Sequence, residues 1–304
     1  MRVDITLPSF LFIGTAKAGT TSIANYLDQH PELRIPMKET FYFMREIYRN
    51  NDLAYPAQRA REEYILNVEQ YEHVYQGQEG FITGEVGTGY LFHHKESIEQ
   101  IKETLGEDVK ILIVLRNPVE RCYSSYRHFT KDLHEEFTFE EAIEKEKERA
   151  ANDWDFMWQH RSLGCYADQV EAYQKAFKNV KVFIYEDLRK DPKNFMDEVF
   201  KFIGVQPLSE LDTSKEHNPS GDPKSKTLQK FITHENPLKK IIRPVFRMFF
   251  SAEKRANMRK DMKARNLAKG TKMSDAMRAD LRAFYARDME RLKTLIGRDL
   301  SEWN

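Results

Sequence analysis

The sequence predicts an α/β fold: a doubly wound, mostly parallel central sheet flanked by helices, with a helical C-terminal part. Two observations predict it, short apolar runs that end abruptly in loops and amphipathic stretches that follow each run. The run SFLFIG at 9–14 closes at Gly14, and IANYLDQHPEL then keeps helical spacing until Pro31. KILIVLRNP at 110–118 is apolar without alternation, as a strand covered on both faces must be, and VERCYSSYRHF continues as a helix. KVFIY at 181–185 leads into EDLRKDPKNFMDEVFKFIGV, where Asp191 and Pro192 open an amphipathic helix and Gly204 closes it. Strands that alternate with helices place ligands at the carboxyl ends of the strands.

The 304 residues contain no Gly/Ser- or Pro-rich linker, so a single domain over 1–304 is expected, with 238–304 as a basic helical segment packed on it. Its 48 basic and 48 acidic residues cancel, which argues against nucleic acid or a heavily sulfated glycan as the main partner. Cys122 and Cys165 stand in neither metal nor redox spacing, so both are expected reduced and structural. The start, MRVDITLPSFLFIG, lacks a basic region and a long apolar stretch, and no later segment approaches about eighteen apolar residues, so a cytoplasmic protein is expected. The charged stretch EEFTFEEAIEKEKERAANDWDF within 132–160 reads as a solvated helix rather than as a site. Between 238 and 270 the balance turns basic, as in LKKIIRPVFRMFF, which fits a helix packed on its own domain better than a peripheral membrane helix.

The segment from Gly14 to Thr21 lies between a predicted strand and a helix. That is a P-loop-like device whose backbone N–H groups and helix N-terminus converge on an anion. A Walker-type loop for ATP carries Lys directly after its second Gly, whereas here Thr20 holds that place and Lys17 lies inside the loop. The strand KILIVL ends in Arg116 rather than in a carboxylate that would help hold magnesium. Both features weigh against a kinase.

In IGTAKAGTTS the chain resembles the PAPS-dependent sulfotransferases, whose donor is 3'-phosphoadenosine 5'-phosphosulfate (PAPS) and whose product is adenosine 3',5'-bisphosphate. Bacterial natural-product members and the glycan, or heparan sulfate, branch are the relevant kinds. The resemblance implies that Lys17 reaches the oxygen bridging phosphate and sulfur, with Ala18, Gly19, Thr20, Thr21 and Ser22 wrapping the 5'-phosphate. A fixed cation at that leaving oxygen stabilises the transition state more than the ground state, by about 3 kcal/mol. LRNPVERCYSSYRHF matches the family's 3'-phosphate element, through Arg116 and Ser124 eight positions later. VFIYEDL places Tyr185 near the adenine by the same resemblance, and HNPSGDPKSKTL offers Lys224, Ser225 and Lys226 from a loop closing over the nucleotide. The final stretch DLRAFYARDMERLKTLIGRDLSEW resembles the family's last helix and Trp.

An acceptor hydroxyl needs its proton removed as it attacks, so a general base is required. PMKETFYF is similar to the Lys-Glu-aromatic element of the glycan branch, which assigns the base to Glu39 with Lys38 beside it. His217 is the rival base, ahead of His93 and His94. GEVGTGYLF occupies the place of that branch's Glu-Lys-Ser/Thr-Pro-Ala-Tyr, and Glu85 and Tyr90 match as acceptor contacts. Val86 stands where a Lys would hold an anionic acceptor, which points instead to a neutral or cationic small molecule such as an alkaloid or polyketide. No metal is expected. Two alternatives from other classes are an ATP-dependent small-molecule kinase and a non-catalytic, membrane-associated nucleotide-binding module.

Overall fold

The computed structural model describes residues 7–50, 64–213, 222–225, 227–229 and 271–303, with positions 251, 254, 258, 262 and 265–268. In chain order the central elements begin with β1 (Phe10–Phe12), α1 (Thr20–Leu27), β2 (Leu33–Arg34), α2 (Arg45–Asn50) and α3 (Val68–Val74). They continue with β3 (Ile82–Val86), α4 (His94–Leu105), β4 (Lys110–Leu115), α5 (Pro118–Lys131), α6 (Phe139–Glu144) and α7 (Glu146–Ala151). Then come α8 (Ala167–Ala176), β5 (Asn179–Ile184), α9 (Tyr185–Lys190), α10 (Pro192–Ile203) and α11 (Asp275–Ile296). The five strands pair in parallel in the order β2-β3-β1-β4-β5. β1, the first strand in the chain, therefore sits in the middle, and its C-terminal loop opens between neighbours on both sides.

Alternate residues of the inner strands feed two different cores. Leu11, Ile111 and Ile113 join one cluster with Ile101 of α4 and Val170 of α8. Phe10, Phe12, Leu112 and Val114 join another with Ile23 of α1 and Phe195, Val199 and Phe200 of α10. This is the double winding that an unbroken apolar strand implies, since both of its faces must be covered. Each fully buried side chain of this size contributes about 1.5–3 kcal/mol.

Helix boundaries follow local chemistry. Asn117 caps α5 by accepting from the N–H of Val119 at 3.0 Å, with Pro118 in the first turn. Asp191 does the same for α10 through Asn194 N–H at 3.0 Å, and the left-handed Gly204 ends that helix. In α11, Ser274 accepts from Met277 N–H, and the Asp288 carboxylate takes the N–H groups of Tyr166 and Ala167 at 2.8 and 3.1 Å, which docks α11 on the start of α8. Most of the basic segment 238–270 lies outside the described residues.

The structure corrects the reading of 132–160 as one solvated helix. The stretch breaks into α6, α7 and a short 3₁₀ turn, Phe156–Trp158. Four of its charged residues are buried: Glu135, Glu146, Arg149 and Asp155 are 6%, 2%, 5% and 7% exposed. Arg149 grips Glu135 with two nitrogens at 2.6 and 2.9 Å, and Glu146 accepts the N–H groups of Arg161 and Ser162. These partners lie 14 to 16 residues apart, beyond the reach of helical periodicity. β3 was not anticipated as a strand, because Thr83, Gly84 and Glu85 interrupt its apolar character.

Candidate active site

A cleft of about 790 Å³ opens at the carboxyl ends of β1, β3 and β4. One wall is the β1–α1 loop. Lys17 has φ 71 and Gly19 has φ 80, so the chain turns sharply into α1 with Gly19 as its N-cap. Only glycine fits there, since a Cβ on Gly19 would meet the Tyr185 ring at 2.8 Å. No acidic residue occupies the first turn of α1, so its free N–H groups and the hydroxyls of Thr20, Thr21 and Ser22 face the cleft with a positive field.

Arg116, at the end of β4, completes this wall. Its Nη1 donates to the Lys17 carbonyl at 2.9 Å, its Cζ lies 4.9 Å from the centre of the Tyr185 ring, and Tyr166 OH donates to its own carbonyl at 2.9 Å. The guanidinium thus braces the loop and still lines the cleft. Ser124 and His128, one helical turn apart on α5, line it too. Burial, with Lys131, Arg116 and Lys38 nearby, lowers the Lys17 ammonium to about 8. Desolvation, then the Lys17 charge, lowers the pKa of His128, although the residue is exposed.

The facing wall carries Lys38, Glu39, Thr88 and Met157. Lys38 bridges the two walls, with Nζ donating to Thr21 Oγ1 at 3.0 Å and pairing with Glu39 Oε1 at 3.2 Å. Glu39 and Phe41 both adopt left-handed backbone, φ 60 and 56. For residues other than glycine each such position costs on the order of 1–3 kcal/mol and persists only when the surroundings impose it. Thr40, between them, bonds to the buried Glu85 carboxylate. Thr40 Oγ1 donates to Glu85 Oε1 at 2.6 Å, Tyr90 OH to the same oxygen at 2.5 Å, and Tyr71 OH to Oε2 at 3.0 Å. Burial raises the pKa of this carboxyl, against the hydrogen bonds of Thr40, Tyr90 and Tyr71.

The structure thus brings together Lys17, Gly19, Thr20, Thr21, Ser22, Lys38, Glu39, Arg116, Ser124 and Tyr185 around one cleft. Ala18 is buried beneath the loop. Glu85 and Tyr90, expected as acceptor contacts, are 0% exposed and do not line the cleft. The Glu85 carboxylate instead receives three hydroxyls inside the protein, from Thr40, Tyr90 and Tyr71. Lys224 and Ser225 are likewise away from the cleft lining, with Lys224 Nζ on the Arg265 carbonyl at 2.9 Å and the Ser225 N–H on Asn266 Oδ1 at 3.0 Å. His217 and Lys226 lie outside the described residues. His128, Thr88 and Met157 were missed. Of these, His128 was legible, standing four positions after Ser124 on a helix, whereas Met157 reaches the cleft only through the fold of the charged stretch.

A family model described as the sulfotransferase domain matches residues 7–292. The chain is similar to human bifunctional heparan sulfate N-deacetylase/N-sulfotransferase 3, 31% identical over 218 residues, covering 66% of this chain and 23% of that protein. It is also similar to the membrane-associated sulfotransferase kil1 of Dictyostelium discoideum, 30% identical over 149 residues, covering 47% of this chain and 28% of that one. The chain spans about a quarter of the length of these curated relatives. Among solved structures, a sulfotransferase from Alicyclobacillus acidocaldarius superposes with a TM-score of 0.74 at 29% identity, covering 97% of this chain and 98% of that one.

Proposed function

Because the chain belongs to the sulfotransferase family, we propose that it transfers a sulfuryl group from PAPS to a hydroxyl or amine of a small acceptor. The observation that carries the reading is the single cleft in which Lys17, Arg116 and the start of α1 face Glu39. The donor wall fits a nucleotide with phosphate at both ends: a cation and helix amides at one site, Arg116 and Ser124 at the other. Glu39 is the carboxylate among the described residues that line the cleft, and it lies on the opposite wall.

PAPS supplies the sulfuryl group. Lys17 holds positive charge where negative charge grows on the departing phosphate oxygen. Thr20, Thr21 and Ser22 orient that end, and Arg116 and Ser124 orient the other. Glu39 takes the acceptor's proton as the acceptor attacks in line, worth about 10² to 10⁴ in rate. His128, an imidazole lining the same cleft, is the second available proton acceptor. Val86 is fully buried in the sheet, so no charge projects from the position where a Lys would grip an anionic acceptor. The acceptor is accordingly a neutral or cationic molecule, of the kind found among alkaloid and polyketide natural products.

The reading is tested by calorimetric titration with adenosine 3',5'-bisphosphate and, in parallel, ADP in metal-free buffer. Tight binding of the bisphosphate, weakened about 10- to 100-fold by Arg116→Ala, with little binding of ADP, is the expected result. Equal or preferential binding of ADP would sink the reading and favour a kinase.

A further inference from the structure

We infer that Glu85 is a positioning residue for Glu39: its carboxylate, acting through the Thr40 hydroxyl, fixes the left-handed turn that aims the Glu39 side chain into the cleft. The inference rests on the reading of Glu39 as the base. Glu85 lies in the middle strand pairing of the sheet, where β3 and β1 run in register with Leu11 opposite Glu85. A carboxylate at such a place has no claim to be there on packing grounds, since an apolar residue of the same volume would satisfy the layer without a desolvation cost. What it does instead is collect donors.

The Thr40 hydroxyl is the link. It donates to Glu85 Oε1 and accepts the Tyr42 N–H at 3.2 Å, so one oxygen ties the sheet to the far side of the turn. The Thr40 carbonyl accepts the Ile65 N–H at 3.0 Å, and the Glu39 N–H donates to the Val86 carbonyl at 2.9 Å, directly after Glu85 in the strand. Thr40 is thereby fixed at side chain and carbonyl, between two residues whose backbone would relax to negative φ if released. Tyr71 and Tyr90 complete the carboxylate's shell and hold it against rotation. Released from this shell, the turn would carry the Glu39 carboxylate away from the acceptor, and a displacement of about 1 Å can cost about a hundredfold in rate.

The test uses the full chain with PAPS carrying labelled sulfate, measures sulfate release with water as acceptor, and titrates adenosine 3',5'-bisphosphate by calorimetry. Glu85→Gln and Thr40→Val should each lower turnover about 10- to 100-fold with bisphosphate affinity unchanged. Thr40→Ser, which restores the hydroxyl, should recover turnover. Thr40→Val needs only the loss of one oxygen and keeps the tyrosine shell of Glu85, so it serves even where Glu85→Gln fails to fold. In a Glu39→Gln background, Thr40→Val should add no further loss, because it acts through the group already removed. Losses that multiply, or a bisphosphate affinity that falls in step with turnover, would overturn the positioning role while leaving Glu39 as base. A fully active Glu39→Gln would overturn the base assignment, and this proposal with it.

Discussion

The donor wall and the acceptor wall of the cleft meet at Lys38, but they are built from different material. The donor wall is shaped by main chain, with helix amides, a left-handed Gly19 and a Lys17 carbonyl held by Arg116, and it carries the side chains of Lys17, Thr20, Thr21, Ser22, Arg116 and Ser124. The acceptor wall is a strained turn held by side chains, in which one buried carboxylate receives three hydroxyls. A site made of backbone needs only glycine and small residues at the right places, and such a pattern can be recognised in a short segment. A site made of side-chain bonds needs partners from several distant segments at once. On the proposed function the first would hold a constant ligand, the nucleotide, and the second would be free to drift with the acceptor.

That contrast predicts different signatures for changes on the two walls. Glu39→Gln should give the largest effect, a loss of turnover of about 10² to 10⁴ with the affinity for adenosine 3',5'-bisphosphate intact, measured by initial rates beside calorimetry. A fall in affinity equal to the fall in turnover would erase the distinction between the walls. Lys17→Ala comes next, with turnover reduced about 10² to 10³ and affinity reduced as well, because this group meets both the ground state and the developing charge. The smallest effect comes from pH. The Lys17 ammonium of the free protein titrates at about 8, below its ordinary 10.5, and a bound anion favours the charged form and raises it again. Between those limits binding takes up a proton, so affinity is full below about pH 8 and falls above it by up to about tenfold per pH unit. Calorimetry in buffers of different ionisation enthalpy checks the uptake, and Lys17→Ala should abolish it.

The same contrast explains what the sequence disclosed. The loop from Gly14 to Thr21, the strands β1, β4 and β5, and the helix opened by Pro192 could be read because each is specified within a dozen residues by an apolar run, a cap or a glycine. β3 was missed since its central Gly84 packs against the Phe10 ring, where a Cβ would sit 2.1 Å from that ring, and since a buried Glu defeats any apolar pattern. The burial of Glu85 and Tyr90 was illegible for a related reason: only their bonds to Thr40 and Tyr71, from distant segments, turn them inward. The burial of Glu135 and Arg149 is a pairing of the same long-range kind, invisible to a count of charges.

Trp303 closes the circuit between the loops that follow β4 and β5. Its carbonyl accepts from Asn117 Nδ2 at 2.9 Å and its indole N–H donates to Glu186 Oε2 at 3.1 Å, while the other oxygen of Glu186 takes the Asn117 N–H at 3.2 Å. Asn117 lies 186 residues before this partner. Chains leave the ribosome N-terminus first, so the anion loop and its helix are synthesised early, whereas the brace on Asn117, next to Arg116, arrives only once Trp303 has cleared the exit tunnel. The brace on the segment that carries Arg116 therefore forms only after every strand of the sheet has been made.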